Sequence, residues 1–209
     1  MRAHLTACFP ASRRLPYVIR VVVLASGTGS LTQALLDAEA SGALQARIVA
    51  VGTDRPAPVE RLAQTARRAT FQLPPADFPS RADWDVAMAQ AVSLFNPALV
   101  VSAGFMRVLG PGFLDRWGRV TINTHPALLP AFPGAHAVRD ALAAGVTVTG
   151  CTVHRMTLQM DAGPILAQTR VPVEDGDDEA SLHERIKAAE RTQLVDVINQ
   201  IADGAIVLA

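Results

Sequence analysis

Short apolar runs alternate with amphipathic stretches from residue 18 onward, and this pattern predicts the secondary structure. Continuous β-branched runs are typical of strands buried on both faces of a parallel sheet, whereas apolar residues three and four positions apart indicate helices. We expect strands at 18–25, 48–51, 70–73, 98–103 and 120–124. We expect helices at 31–41, 59–69, 81–94 and 136–144. Their alternation favours an α/β fold with a mostly parallel, twisted sheet and helices on both faces.

The last third of the chain has a different pattern. Two β-rich runs, 147–154 and 164–173, are separated by a turn around Asp161-Ala162-Gly163, which predicts a hairpin-like pair added to the sheet. No repeat or internal linker interrupts residues 18–209, so we expect a single domain.

A long amphipathic stretch near the C-terminus predicts the final helix, over 181–202. We expect Ser181 to cap this helix, with Glu184 three residues further on, as in a capping box. Residues 205–208 are apolar enough to add an edge strand.

The composition narrows the classes of function. The chain has 209 residues, half of them hydrophobic, and a formal net charge of zero, so it can bury a substantial core. Balanced charge argues against a nucleic-acid-binding surface, and no apolar run approaches the length of a membrane span. Cys8 and Cys151 lie far apart, without the spacing of metal ligands. This favours a cytoplasmic protein without disulfides, in which Cys151 is a packed core thiol.

Residues 1–17 differ from the rest of the chain. They carry three arginines, two prolines and no acidic residue. They lack the apolar core of a secretory signal, and the prolines interrupt any helix. We expect a flexible N-terminal extension, with a targeting segment as the alternative.

The first chemical motif is the turn Ser26-Gly27-Thr28-Gly29-Ser30, which lies between the first strand and the first helix. Backbone amides at a helix N-terminus, with glycines that permit close approach, form an anion site. A dinucleotide enzyme has a third glycine, where this chain has Thr32, and an acid after the second strand, roughly where Asp54 stands. We therefore favour a simple phosphate site over dinucleotide binding.

The second motif begins at Asn123-Thr124-His125, directly after the fifth strand. In an extended segment, residues two positions apart project to the same face, so Asn123 and His125 can point into one cleft. A neutral amide donor beside a proton carrier suits acyl transfer, in which an oxyanion is stabilised and a proton moves. A proline-rich loop whose histidine only caps a turn is the structural alternative.

The longer pattern Asn-x-His-Pro-x-Leu-Leu-Pro-x-x-Pro-Gly, residues 123–134, resembles the signature of the folate-dependent formyltransferases. Residues 149–154 resemble a strand of that family, and residues 161–165 resemble its Asp-x-Gly-Pro-Ile segment. Ala127 departs from the more usual serine, whose hydroxyl the chemistry does not require. The resemblance implies a Rossmann-like formyltransferase fold, with residues 18–118 as the phosphate-binding half and 119–209 as the folate-binding and catalytic half.

The family resemblance also implies a reaction. Formyl transfer from 10-formyltetrahydrofolate to the amine of glycinamide ribonucleotide, a step of purine synthesis, is the expected activity, with no metal. The turn at 26–30 resembles the ribonucleotide-phosphate loop of members that act on this substrate. Gly29, Ser30 and Leu31 are then expected to hold its phosphate and ribose. Many members carry asparagine where this chain has Leu31, so that contact must come from the backbone.

Further site residues are implied by match to the family. The catalytic residues are expected to be Asn123, His125 and Asp161. Asp161 is included because a carboxylate beside a histidine favours the imidazolium. The glycinamide is expected to contact Glu190. The folate is expected to contact Arg81, Met106, Arg107, Val108, Leu109 and Asn123. The alternatives are a solvated side chain for Arg107, a surface arginine for Arg81 and a solvent-exposed glutamate for Glu190. His154 is expected to be a structural or rim histidine.

Other functions stay open at this stage. In a formyltetrahydrofolate deformylase, water replaces the amine, but relatives of that type carry an additional N-terminal regulatory domain. A methionyl-tRNA formyltransferase is disfavoured by the neutral charge and the missing C-terminal RNA-binding domain. A non-catalytic nucleotide-binding module has no need of Asn123, His125 and Asp161. We expect small-molecule substrates as partners, and a homodimer is compatible with a sequence that does not decide the oligomeric state.

Overall fold

A seven-stranded sheet organises residues 18–208, the part of the chain that the computed structural model describes. The extension predicted over residues 1–17 lies outside the described residues. The strands are β1 (Ile19–Ala25), β2 (Ala46–Thr53), β3 (Ala69–Gln72), β4 (Leu99–Ser102), β5 (Thr121–His125), β6 (Val148–Arg155) and β7 (Ile165–Pro172).

The strand order confirms the predicted mostly parallel α/β sheet. The order is β3-β2-β1-β4-β5-β6-β7; β1 to β5 are parallel, and β6 and β7 are antiparallel additions. Successive connections run outward in one direction from β1 to β3 and in the other from β4 to β7. Ligand clefts form at such a switch point, beyond the carboxyl ends of the strands, because the loops there diverge.

Six α-helices flank the sheet within residues 18–208. They are α1 (Ser30–Ser41), α2 (Val59–Thr65), α3 (Arg81–Ser93), α4 (Pro111–Trp117), α5 (Ala137–Ala143) and α6 (Glu179–Ala202). None of these helices is both long enough and apolar enough to cross a membrane.

The uninterrupted apolar run of β1 is explained by cores on both faces of the sheet. Val21 and Val23 pack with residues of α1, α2 and α6. Val22 and Leu24 point the other way and pack with residues of α3 and α4. Cys151, the predicted core thiol, is buried between β7, α5 and α6, and burial, with the Glu190 charge adding to it, raises its pKa to about 12.

Several helix boundaries differ from the sequence predictions. The pattern did not predict α4, because its seven residues begin with Pro-Gly and resemble a loop; Phe113 and Leu114 nevertheless bury one side of it. The helix predicted over 59–69 ends earlier, at Thr65, because Arg67 adopts a positive φ of 56° and leads the chain into β3.

The predictions for the C-terminal region were also wrong in two details. α6 begins at Glu179, and its N-cap is Asp178, whose carboxylate accepts a hydrogen bond from the Ser181 amide at 2.8 Å. Ser181 is instead the third residue of the capping box. Residues 205–208, within the described range, form no strand, because the chain turns at Gly204 and the Ile206 amide donates back to the Gln200 carbonyl of α6.

Gly150 lies where β6 and β7 approach too closely for a side chain. A Cβ atom there would overlap the Thr169 carbonyl oxygen and come within 2.8 Å of the Leu128 side chain. We expect Gly150→Ala to lower the free energy of unfolding by about 1–3 kcal/mol, because β6 and β7 must separate to accept the methyl group. Urea denaturation measures this change. Gly27→Ala is the control, since a Cβ there meets nothing within 4 Å among the described residues; an equal loss in both variants would contradict this explanation.

Candidate active site

A cleft of about 460 Å³ opens beyond the carboxyl ends of β1, β4 and β5, at the switch point of the sheet. Its volume is in the range of small-molecule sites. The lining includes residues 27–31 after β1, residues 102–109 after β4, residues 123–126, and three side chains of α6. The two halves predicted from the sequence therefore contribute to one cleft.

The predicted phosphate turn forms the start of α1 at the edge of this cleft. Gly29 is its N-cap, with a φ of 82°, and a Cβ atom there would overlap the Val59 side chain. Within residues 18–208 no side chain caps the helix, so its first amides are free to bind an anion. Leu31 is buried against the core, as expected for a residue that contributes only its backbone.

Asn123 and His125 share one face of β5, as the two-residue spacing predicts, and both line the cleft. The Asn123 amide nitrogen lies 3.2 Å from His154 Nε2 on β6. His154 Nδ1 lies 3.1 Å from the Arg155 carbonyl, which can only accept, so Nδ1 carries the proton and Nε2 accepts from Asn123. The second hydrogen of the Asn123 amide is left for a ligand.

His154 is neutral in this arrangement. Burial lowers its pKa, with the nearby charge of His125 adding to the effect, while the Arg155 hydrogen bond and Asp161 oppose it. His154 was expected to be a structural or rim histidine; it is buried, and its ring accepts a hydrogen bond from the amide of Asn123.

His125 is almost fully buried and lies between two acceptors. Its Nε2 donates to the Phe132 carbonyl at 2.8 Å, and its Nδ1 lies 3.5 Å from Asp161 Oδ2. In the imidazolium form, the Nε2 hydrogen faces the Phe132 carbonyl and the Nδ1 hydrogen faces the Asp161 carboxylate. Asp161 has a φ of 54°, and its Oδ2 accepts from the Gly134 amide at 2.8 Å. The carboxylate therefore joins the end of the signature loop to the histidine at its start.

Side chains of β6 and β7 also hold the signature loop, residues 123–134. The Thr152 hydroxyl donates to the Ala127 carbonyl at 2.6 Å and accepts from the Leu129 amide at 3.1 Å. Gln168 donates to the Leu129 carbonyl at 2.8 Å. These backbone contacts hold the loop although Ala127 lacks the hydroxyl of the usual serine.

Three polar side chains of α6 face the cleft. Glu190 was implied by the family match, whereas His183 and Lys187 were missed. Their positions, four and three residues apart, place all three on one helix face, and this spacing is the signal that could have found them. The Lys187 ammonium also lies 2.8 Å from the carboxylate of the exposed Glu184.

Glu190 is a buried carboxyl group in a partly apolar wall. Burial raises its pKa to about 7, although a hydrogen bond with Thr124 and the charges of Lys187 and Arg191 oppose the shift. At neutral pH this side chain can therefore exchange a proton or accept a hydrogen bond from a ligand.

The loop after β4 lies opposite α6, and it carries the residues expected to bind folate. Met106 and Val108 are exposed apolar residues, and Leu109 is buried in the core. The Met106 amide donates to the Ser26 hydroxyl at 2.8 Å, which ties this loop to the phosphate turn. The Arg107 side chain is half-exposed, and its Nε lies 2.8 Å from Oδ2 of the buried Asp54.

Asp54 is a buried carboxylate beside these two loops. Burial raises its pKa, but hydrogen bonds from Arg55, Ser26 and Arg107 outweigh burial and lower the value to about 2. Asp54 has the position of a ribose-binding acid in dinucleotide enzymes, yet here it holds the loop after β4 in place. The backbone and the apolar side chains of that loop are left to face a ligand.

Arg81 is the one predicted folate residue outside the lining of the cleft in the described part of the chain. Its guanidinium donates to the Val108 carbonyl, lies 3.6 Å from Asp85 and stacks 4.3 Å from the centre of the Trp84 ring. It supports the loop from behind, and its contact with a folate tail stays a prediction.

The raised pKa of Glu190 predicts a pH-dependent cost in stability. Between about pH 4.5 and pH 7 the folded state binds more protons than the unfolded state, so the stability contributed by Glu190 falls as the pH rises through this range. We expect Glu190→Gln to be more stable than the parent at pH 8. The free energy of unfolding of the variant, relative to that of the parent, should increase by on the order of 3 kcal/mol between pH 4.5 and pH 8. Denaturant unfolding at both pH values measures this. Glu179→Gln, an exposed carboxylate of the same helix, controls for charge loss; a pH-independent difference for Glu190→Gln would contradict the argument.

Known proteins resemble this chain in sequence and in structure. Residues 19–198 match the family model described as formyl transferase. Phosphoribosylglycinamide formyltransferase of Mycobacterium tuberculosis is 58% identical over 183 residues, which cover 88% of this chain and 85% of that protein. Phosphoribosylglycinamide formyltransferase of Escherichia coli is 37% identical over 188 residues, which cover 89% and 88%.

A solved structure has the same architecture along nearly its whole length. The crystal structure of glycinamide ribonucleotide transformylase 1 from Symbiobacterium toebii superposes with a TM-score of 0.90 at 39% identity, covering 94% of this chain and 95% of that chain. The family match includes the phosphate turn, the Asn123–Gly134 loop and Asp161. The chain belongs to the formyl transferase family.

Proposed function

We propose that this protein transfers the formyl group of 10-formyltetrahydrofolate to the amine of glycinamide ribonucleotide, giving the formylated ribonucleotide and tetrahydrofolate. The observation that carries the proposal is that one cleft contains both an uncapped helix N-terminus and the Asn123, His125 and Asp161 side chains. The first suits a phosphate, and the second suits transfer of an acyl group. The relatives named for this activity support the same substrates.

The ribonucleotide is proposed to lie between α1 and α6. The amides of Ser30 and Leu31 bind its phosphate together with Gly29, and the Lys187 ammonium adds a positive charge from the opposite wall. Glu190, deeper in the cleft on the same helix face, accepts a hydrogen bond from the glycinamide amine. These contacts fix the position of the amine beyond the carboxyl end of β5.

The folate is proposed to lie on the other side, against the loop after β4. Leu109, Met106 and Val108 supply apolar surface for the pterin ring, and the Arg107 backbone supplies hydrogen bonds because Asp54 holds its side chain. Asn123 lies between the two substrates. Such an arrangement brings two reactants together and lowers the entropic part of the barrier.

Each catalytic side chain then has a role in the transfer. The amine nitrogen attacks the formyl carbon, and the carbonyl oxygen becomes an oxyanion that receives hydrogen bonds from the free hydrogen of Asn123 and from protonated His125. At 3.5 Å the His125–Asp161 contact is an ion pair longer than a hydrogen bond, so Nδ1 can donate to the oxyanion. Asp161, which faces the His125 ring, holds a water that carries a proton from the amine to the departing folate nitrogen. The new bond between the formyl carbon and the amine nitrogen remains, and the bond between the formyl carbon and the folate nitrogen breaks.

Product analysis tests the reaction. The protein is mixed with 10-formyltetrahydrofolate, with and without glycinamide ribonucleotide, and the products are identified by mass spectrometry. We expect formylated ribonucleotide in the complete mixture and none without the acceptor. Formate released at the same rate in both mixtures would instead identify a deformylase. Binding of the ribonucleotide without turnover would identify a binding module.

Substitution at Asn123 tests the assignment of roles. We expect Asn123→Ala to lower kcat by about 10²–10³, the usual effect of losing one oxyanion donor, with little change in ribonucleotide affinity. Steady-state kinetics at saturating substrates measure it. Asn199→Ala is the matched control, because that amide makes two hydrogen bonds to residues 43 and 45, away from the cleft. Turnover of Asn123→Ala within a few-fold of the parent would show that the role is wrong.

A further inference from the structure

Three polar side chains form a row across the sheet at the bottom of the cleft. Ser102 at the end of β4 is in register with Asn123 of β5, and Asn123 is in register with His154 of β6. Residues in register on neighbouring strands project to the same face of a sheet. Asn123 and His154 bond to each other. Ser102 is the third member of this row.

The Ser102 hydroxyl is the unsatisfied member. The residue is 0% exposed, lines the cleft, and its Oγ has no hydrogen-bond partner among residues 18–208. The residues that share its face, Val100 two positions earlier and Leu24 beside it on β1, are apolar and belong to the core under α3 and α4. Burying a hydroxyl without a partner costs free energy, and an apolar side chain would fill this position without that cost.

The location of Ser102 indicates which ligand would satisfy its hydroxyl. The core on this side of the sheet includes Phe105 and Leu109, from the loop against which we place the pterin ring. The ribonucleotide site lies toward α1 and α6, on the opposite face. A polar group that reaches Ser102 must therefore belong to the ligand in the β4-loop half of the cleft.

We infer that the Ser102 hydroxyl binds a ring nitrogen or an exocyclic polar group of the folate pterin and contributes to recognition of the cosubstrate. This inference rests on the proposed function, because it assumes that folate occupies this half of the cleft. A hydroxyl can donate and accept, which suits a heterocycle that presents both N–H groups and bare ring nitrogens along one edge. The contact orients the ring next to Asn123 and does not take part in bond formation.

Calorimetric titration with tetrahydrofolate, an unreactive product of the proposed reaction, tests this inference. We expect Ser102→Ala to bind about 3- to 10-fold more weakly than the parent, the range for a neutral hydrogen bond. Its free energy of unfolding should be unchanged or higher, because an unpaired buried hydroxyl has been removed. Thr149→Val is the matched control: Thr149 also has a buried, unpartnered hydroxyl within the described residues, but it lies outside the cleft lining. We expect this control to bind tetrahydrofolate like the parent.

The steady-state kinetics separate a folate contact from a general disturbance of the site. For Ser102→Ala we expect a higher KM for 10-formyltetrahydrofolate, with the KM for glycinamide ribonucleotide and kcat within two-fold of the parent. Equal increases in both KM values would overturn the assignment to folate, as would parent-like affinity of Ser102→Ala for tetrahydrofolate. Failure of the parent protein itself to bind tetrahydrofolate would overturn the proposed function together with this inference. Binding by the parent with no effect of Ser102→Ala would overturn this inference alone.

Discussion

The pleat of β5 is the constraint on which the rest of the site depends. Because successive side chains of a strand alternate between faces, Asn123 and His125 project to one side of the sheet while Ile122 and Thr124 project to the other. Ile122 packs with Leu194 and Val197 of α6, and Thr124 contacts Glu190 on the same helix. The cleft lies beyond the strand end, so it receives hydrogen-bond donors from one face and a carboxylate from the other. This is the geometry that our proposal for a two-substrate transfer requires.

The site contains polar groups whose burial costs stability. Glu190 is held at a pKa of about 7, and the Ser102 hydroxyl has no partner within the described chain. Proteins tolerate such groups where binding or catalysis needs them and where the surrounding structure is stable enough. Here apolar cores pack on both faces of β1 and β4, Ile122 of β5 joins one of them, and the polar groups lie at the ends of these strands.

Much of the fold could be predicted because its signals are local. The continuous apolar run of β1 indicates burial on both faces, and the change of pattern after residue 146 indicates the antiparallel pair β6 and β7. The errors arose where tertiary contacts override local preference. Residues 205–208 have strand-like composition, yet Ile206 packs onto α6, and the Pro-Gly start of α4 conceals a helix that burial of Phe113 stabilises.

The sequence by itself determined the chemical types in the site and their spacing along the chain: the amide and imidazole two residues apart, the glycine turn before α1, and the carboxylate between the last two strands. The local geometry of a strand or a helix start depends on neighbouring residues, so these features are visible without a structure. Only the tertiary structure decided which distant groups meet. It paired Arg107 with Asp54, placed Arg81 behind the loop rather than in the cleft, and aligned Ser102 and His154 with Asn123. Such contacts depend on strand order and register, which are set by the packing of the whole sheet and not by any one segment.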